Sequence, residues 1–125
     1  MNNPNPPPKR SVEDVLTEVV KSVTSGGGEE RPSQRRMVRA VAQALRTSQH
    51  LLVQAGTGTG KTLAYLLPVV MHGKRTIVTT YTKALQDQMV EETLPSLCGY
   101  MADNENKVIS FAELKGWKNY VCLQR

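Results

Sequence analysis

Residues 51–62 read Leu51-Leu52-Val53-Gln54-Ala55-Gly56-Thr57-Gly58-Thr59-Gly60-Lys61-Thr62, an apolar run, a glycine-threonine turn and a lysine. The apolar triplet reads as a buried strand, and the LAYLLPVVM stretch after Thr62 reads as a helix. Between them, Gly56, Gly58 and Gly60 permit positive φ, so successive backbone N–H groups can turn inward as an anion nest. A helix opening at Lys61 aims its free amides and positive dipole end at the same point. Such a loop suits the phosphate chain of a nucleoside triphosphate, whose several negative charges must be met without bulky side chains in the way. Lys61 can then reach the β- and γ-phosphates, and the Thr62 hydroxyl can ligate Mg²⁺. Ala55 through Thr62, including Thr57 and Thr59, is thus the expected nucleoside-triphosphate site, with Lys61 and Thr62 in the catalytic roles. The bland alternative is a glycine-threonine turn that merely precedes a lysine.

Working outward, Thr76–Thr80 and Val108–Phe111 read as two further buried strands. A helix opening at Lys61 and a helix from Thr82 to about Glu92 separate them. The alternation predicts an α/β fold, a parallel sheet with flanking helices. Pro68 is expected to kink the first of these helices or end it early. Upstream, a helix is predicted from near Pro32 to about Thr47, carrying Met37, Val41 and Leu45. Residues 11–24 form an amphipathic helix with Val12, Val15, Leu16, Val19, Val20 and Val23 on one stripe and Ser11 as N-cap. Residues 1–10, rich in Asn and Pro, read as a disordered tail, and residues 25–30 as a Gly-rich linker.

A chain of 125 residues with 39% hydrophobic and 22% charged residues suits one domain with a packed core. The net charge is +5, and the basic excess lies in residues 34–125, which permits a nucleic-acid partner. The N-terminus lacks the apolar core of a secretory signal, and the longest apolar run, Leu63–Met71, is nine residues, too short for a bilayer. No membrane partner is expected, and the localisation is expected to be cytoplasmic. Cys98 and Cys122 stand 24 positions apart with no CxxC spacing, which argues against a disulfide scaffold or a self-contained zinc site.

At this point the sequence resembles the DinG/XPD family of iron–sulphur, superfamily 2 DNA helicases over about residues 30–125. Four landmarks carry the resemblance. Arg31-Pro32-Ser33-Gln34, followed by Met37, resembles the Q-type motif in which Gln34 would read the adenine edge. The phosphate loop, with Ala55 where the general pattern has Gly, is similar to the helicase-type AxxGxGKT variant and continues into LAYLLP. Thr79-Thr80-Tyr81-Thr82-Lys83-Ala84-Leu85-Gln86-Asp87-Gln88 is similar to motif Ia. Lys115-Gly116-Trp117-Lys118-Asn119-Tyr120-Val121-Cys122-Leu123 resembles the segment carrying the first cluster-ligating cysteine. The resemblance implies a partial RecA-like P-loop NTPase domain at 31–125, cut before its Walker B strand and preceded by the N-terminal helix. It implies ATP, with Arg31 and Gln34 in the ATP site, and 5′→3′ movement on single-stranded DNA. It also implies a [4Fe–4S] cluster in a full-length form, with Cys122 as first ligand.

Each landmark has a plainer reading. Gln34 could be an ordinary exposed helix residue, although its amide offers the donor and acceptor an adenine edge requires. Thr80 and Thr82 could be turn or cap residues after a strand; alternatively Thr80, Thr82 and Gln86 contact DNA phosphates at the strand's C-terminal end. Lys83 could add charge there. Cys98 reads as a structural hydrophobe. A [4Fe–4S] cluster needs four thiolates and the sequence holds two cysteines.

An ATPase motor also needs an acidic pair at a strand end, an arginine finger and a second lobe. Glu91-Glu92 is expected to continue a helix, and Asp103 and Glu105 to lie in a polar loop, so none fits the pair. The expectation is therefore an N-terminal piece of a DNA helicase that binds ATP and Mg²⁺, inactive by itself and lacking a lobe or partner chain. The competing reading is a non-hydrolysing nucleotide-binding module acting through a partner chain, which would also cover the Val12–Val23 stripe and the unfinished sheet. A P-loop kinase or metabolic ATPase is disfavoured, having no use for Thr80–Gln88 or Asn119–Cys122.

Overall fold

The computed structural model describes residues 10–23, 31–56, 58 and 60–120. Among them are five α-helices: α1 (Val12–Val23), α2 (Pro32–Thr47), α3 (Lys61–His72), α4 (Lys83–Gln88) and α5 (Leu94–Glu105). A π-helical turn, Met89–Thr93, joins α4 to α5, and a 3₁₀ turn follows at Trp117–Asn119. The expected linker at 25–30 and residues 1–9 of the expected tail lie outside the described residues.

Local chemistry sets the helix ends. The Asp14 N–H donates to Ser11 Oγ at 3.1 Å, and the same hydroxyl donates to Asp14 Oδ2 at 2.6 Å, which caps α1. Pro32 occupies the first turn of α2, where its missing N–H costs nothing, and Ser48 in the left-handed region (φ 53°) ends that helix. Gly73 (φ 75°) terminates α3, and Lys107 Nζ donates to the last carbonyls, Val70 O at 2.8 Å and Met71 O at 2.9 Å. Pro68, expected to kink α3 or end it early, does not end it: α3 runs on to His72. The proline is buried within the helix, where packing compensates the backbone bond it removes.

The core is built by helices packing on helices. α3 lies at the centre and contributes Ala64, Leu66, Leu67 and Val70 to it, and α2 packs alongside with Val38. Val15, Leu16, Val19 and Val20 of α1 close the same core against α2, α3 and α5, which brings Leu97, Tyr100 and Met101. The α1 stripe is therefore covered within the chain and needs no partner chain for this. Ion pairs ring the seam: Arg39 with Glu13, and Arg10 with both Glu18 and Glu105, the last at 2.8 Å. Arg10, the described residue of the expected tail, is thus tied down on two helices.

The predicted parallel sheet is not found: the described residues contain no strand. The segments at 51–53, 76–80 and 108–111 are irregular, and Leu52, Ile77 and Val108 are 99%, 88% and 92% exposed. A parallel strand exists only when a distant segment satisfies its N–H and C=O groups and helices cover both faces. Here the helices turn their apolar stripes toward one another, and no ladder forms. The α/β, RecA-like reading of the architecture is corrected accordingly to an all-helical one. Asp103 and Glu105 are also not in a polar loop: both lie on α5, which closes at Asn106 with φ 48°.

Candidate functional site

The glycine-threonine loop leads directly into the N-terminus of α3, as its sequence demands. Gly60 is the N-cap residue with φ 69°, and Gly58 has φ 71°. Two of the three glycines therefore use the left-handed region, while Gly56 does not. Thr57 and Thr59 lie outside the described residues. A side chain at Gly60 would meet strain from the positive φ and would also run into the Gln34 amide, whose Cδ would lie 2.9 Å away.

α2 supplies the groups that hold this loop. Arg31 donates from Nη1 to the Gly58 carbonyl, and Gln34 donates from Nε2 to the Gly60 carbonyl at 3.2 Å. Gln34 is buried, unlike the exposed helix residue of the plainer reading. Lys61 folds back over the loop, donating from Nζ to the Ala55 carbonyl at 2.9 Å. Arg31, Gln34, Ala55, Gly58, Gly60 and Lys61 are thus gathered by hydrogen bonds, two of which, Arg31–Gly58 and Gln34–Gly60, span 27 and 26 positions in sequence.

In front of this unit is an open cavity of about 600 Å³ lined by Gly58, Gly60, Lys61, Thr62 and Leu63 on one side. Its other wall is Gln88, Glu92, Thr93 and Ser96, from the end of α4, the π-helical turn and the start of α5. Sequence reasoning missed this wall, although Gln88, Glu92 and Ser96 recur every four residues. Thr93 donates to the Gln88 carbonyl at 3.5 Å, a bond belonging to the widened turn. Behind Thr62, the Tyr65 hydroxyl donates to Met89 Sδ at 3.1 Å. Burial pushes the Tyr65 phenol above its ordinary value, and the Thr62 hydroxyl beside it pulls partly the other way.

The residues predicted to touch DNA have local partners. Thr80 donates to the Thr82 carbonyl at 3.2 Å, and Thr82 Oγ1 accepts the Leu85 N–H at 3.3 Å as N-cap of α4. Gln86 donates from Nε2 to the Leu114 carbonyl at 3.0 Å, tying the 113–120 segment to α4. None of the three lines the cavity in front of the glycine-threonine loop.

Mg²⁺ takes oxygen ligands, and the cavity offers the Thr62 hydroxyl with the Glu92 carboxylate and Ser96 on the opposite wall, so the donor set fits that ion. An iron–sulphur cluster does not fit the described residues. Cys98 is their one free thiol, half-buried on α5, with burial pushing its pKa up, and Cys122 lies outside them. No group of three or more metal-ligating side chains occurs among the described residues. No helix among them is long and apolar enough to cross a membrane.

Comparison with known proteins agrees with the motif reading. The chain is similar to the ATP-dependent helicase DinG of Mycobacterium tuberculosis, 42% identical over 119 residues, covering 92% of this chain and 18% of that protein. It is 44% identical over 99 residues to the ATP-dependent DNA helicase YoaA of Escherichia coli, covering 79% of this chain and 15% of that protein. It is 35% identical over 103 residues to the 3′-5′ exonuclease DinG of Bacillus subtilis, covering 79% of this chain and 11% of that protein. No solved structure matches it. The chain spans less than a fifth of the length of these relatives. Residues 31–115, which hold the loop, the α2 groups beneath it and the far wall of the cavity, match the DEAD/DEAH box helicases, and the chain belongs to that family of enzymes.

Proposed function

We propose that this chain is the ATP-binding portion of a DinG-type, ATP-dependent DNA helicase. The observation that carries the reading is the unit formed by Gly58, Gly60 and Lys61 at the start of α3, held by Arg31 and Gln34 and open to the 600 Å³ cavity. The α3 amides and Lys61 would bind the triphosphate, with Lys61 exchanging its bond to the Ala55 carbonyl for a phosphate oxygen. Thr62 would hold Mg²⁺, which when bound neutralises charge developing on the phosphates. Gln34 spends one donor on Gly60 and has a second donor and an acceptor for an adenine edge. Single-stranded DNA is the proposed second ligand and 5′→3′ the proposed direction, both by likeness to the family. No step is assigned to an iron–sulphur cluster, since the described residues do not fit one.

The second reading, a nucleotide-binding module without turnover, is favoured by one observation: Glu92 is the sole acidic side chain on the cavity among the described residues. A hydrolytic site of this family type uses an acidic pair. Mg-ATP binding by the chain, followed with Lys61→Ala beside it and with hydrolysis assayed with and without single-stranded DNA, separates the cases. DNA-stimulated turnover lost in Lys61→Ala identifies a working motor. Binding without turnover identifies an ATP-binding portion that depends on further polypeptide. Failure to bind Mg-ATP overturns both readings.

A further inference from the structure

A hydroxyl that is to hold a cation needs its proton turned away from it. Threonine carries one O–H and two acceptor lone pairs, and a hard cation is bound by the lone pairs alone. Thr62 lines the cavity in front of the phosphate loop, where a freely rotating hydroxyl would spend part of its time aiming its proton into that space. α3 supplies the partner that fixes this rotor. Tyr65 follows Thr62 by three residues, which places the two side chains together on one helix face, and their hydroxyls are hydrogen-bonded.

The direction of that bond follows from a third group. Tyr65 has a single O–H, and it donates to Met89 Sδ at 3.1 Å. A thioether has no proton to give back, so the phenol oxygen can only accept from Thr62. The Thr62 proton therefore lies on the Tyr65 side, and the lone pairs of its oxygen are left to the cavity. Met89 keeps the sulfur in place: it is 4% exposed, belongs to the core and opens the π-helical turn that packs against α3. The Tyr65 ring is partly buried against the same core, so the phenol is held at both ring and tip. Neither Tyr65 nor Met89 lines the cavity.

We propose that Tyr65 is a positioning residue for Mg²⁺ binding: anchored by Met89, it accepts the Thr62 proton and so presents the Thr62 oxygen to the metal. This rests on the Mg-ATP reading given above and extends it to a residue behind the cavity wall.

The test follows binding of a fluorescent, non-hydrolysable ATP analogue to the full chain across a Mg²⁺ titration and again in EDTA, with a thermal midpoint for each variant. Tyr65→Phe keeps the ring and deletes the oxygen that accepts from Thr62. It is expected to raise the Mg²⁺ concentration needed for half-maximal enhancement of binding about three- to tenfold, the loss of one hydrogen bond, and to leave affinity in EDTA unchanged. Met89→Leu conserves core volume and removes the sulfur, which frees the phenol proton to turn toward Thr62; the Mg²⁺ requirement is expected to move the same way. In a Thr62→Ala background Tyr65→Phe is expected to have no further effect, because no hydroxyl remains to be positioned.

An unchanged Mg²⁺ requirement in Tyr65→Phe overturns the proposal and leaves ATP binding at Lys61 intact. Equal losses with and without Mg²⁺, or a further loss in the Thr62→Ala background, reduce Tyr65 to packing and also overturn it. If Tyr65→Phe melts before it can be titrated, Met89→Leu decides: a raised Mg²⁺ requirement supports the proposal and an unchanged one overturns it. Analogue binding that Mg²⁺ does not affect removes the metal role of Thr62 and this proposal together, while nucleotide binding stands. Absence of analogue binding by the unaltered chain removes the Mg-ATP reading itself, and the proposal with it.

Discussion

At the residue scale, Gly60 is the most constrained of the described residues between Ala55 and Thr62. Its φ of 69° costs an L-residue about 1–2 kcal/mol, and a β-carbon there displaces the Gln34 amide. Gly60→Ala is therefore expected to lower the thermal midpoint and weaken ATP-analogue binding, whereas Gly56→Ala, with open space around it, leaves stability nearly unchanged. Thermal melts of the two variants check this contrast. Thr82 offers a second test, because its side chain both caps α4 and was read from the sequence as a DNA contact. Thr82→Ala is expected to cost about 1 kcal/mol through the lost cap. Thr82→Asp preserves the cap, so any loss of oligonucleotide affinity in that variant measures phosphate repulsion alone.

At the element scale, the helices were legible because their signals are local. Ser11 with Asp14 at the start of α1, Pro32 at the start of α2 and Gly73 at the end of α3 each act within one turn of themselves. α5 was missed because Pro95, Gly99, Asp103 and Asn104 dilute its pattern, although Leu97, Tyr100 and Met101 have helical spacing and Asn106 supplies a left-handed stop. Leu51–Val53, Thr76–Thr80 and Val108–Phe111 have strand composition, but pairing depends on remote partners that a local pattern does not report. Within the site, the Lys61 loop was legible from its glycines, while the Gln88–Ser96 wall depends on how the π-helical turn between α4 and α5 packs against α3.

The seam between α1 and α5 carries a pH dependence with a definite sign. The Tyr100 hydroxyl donates to Glu18 Oε2 at 2.5 Å and Arg10 pairs with the same carboxylate, together holding Glu18 below its ordinary value of 4.5. Arg39 likewise lowers Glu13. A carboxyl depressed in the folded state contributes stability that is complete above its unfolded value and lost as pH falls through the folded one. Melting temperatures are therefore expected to hold from neutrality to about pH 4.5 and fall below it, with Glu18→Gln showing a shallower acid limb. Leu16→Ala, removing a fully buried side chain from the same seam, is expected to cost about 2–5 kcal/mol at neutral pH.

At the scale of the whole molecule, one helical core supports the phosphate loop while Leu52, Ile77 and Val108 remain in solvent. Isolated apolar side chains are ordinary on a surface, but these lie in segments of strand composition that form no ladder among the described residues, which favours association. Sedimentation is expected to show concentration-dependent association, reduced in an Ile77→Lys, Val108→Lys double variant. A monomer at every concentration would show that these segments are innocuous.

In the proposed function, the loop between Ala55 and Thr62 recognises phosphates rather than a base or sugar. That recognition is tested most directly by competition of ATP, tripolyphosphate and adenosine against a fluorescent ATP analogue in Mg²⁺, with Lys61→Ala beside the unaltered chain. ATP and tripolyphosphate are predicted to displace the analogue and adenosine to fail, with Lys61→Ala weakening analogue binding at least about tenfold, the loss of one charge-assisted phosphate contact. Displacement by adenosine alone, with Lys61→Ala binding as tightly as the unaltered chain, would rule out phosphate recognition by this loop.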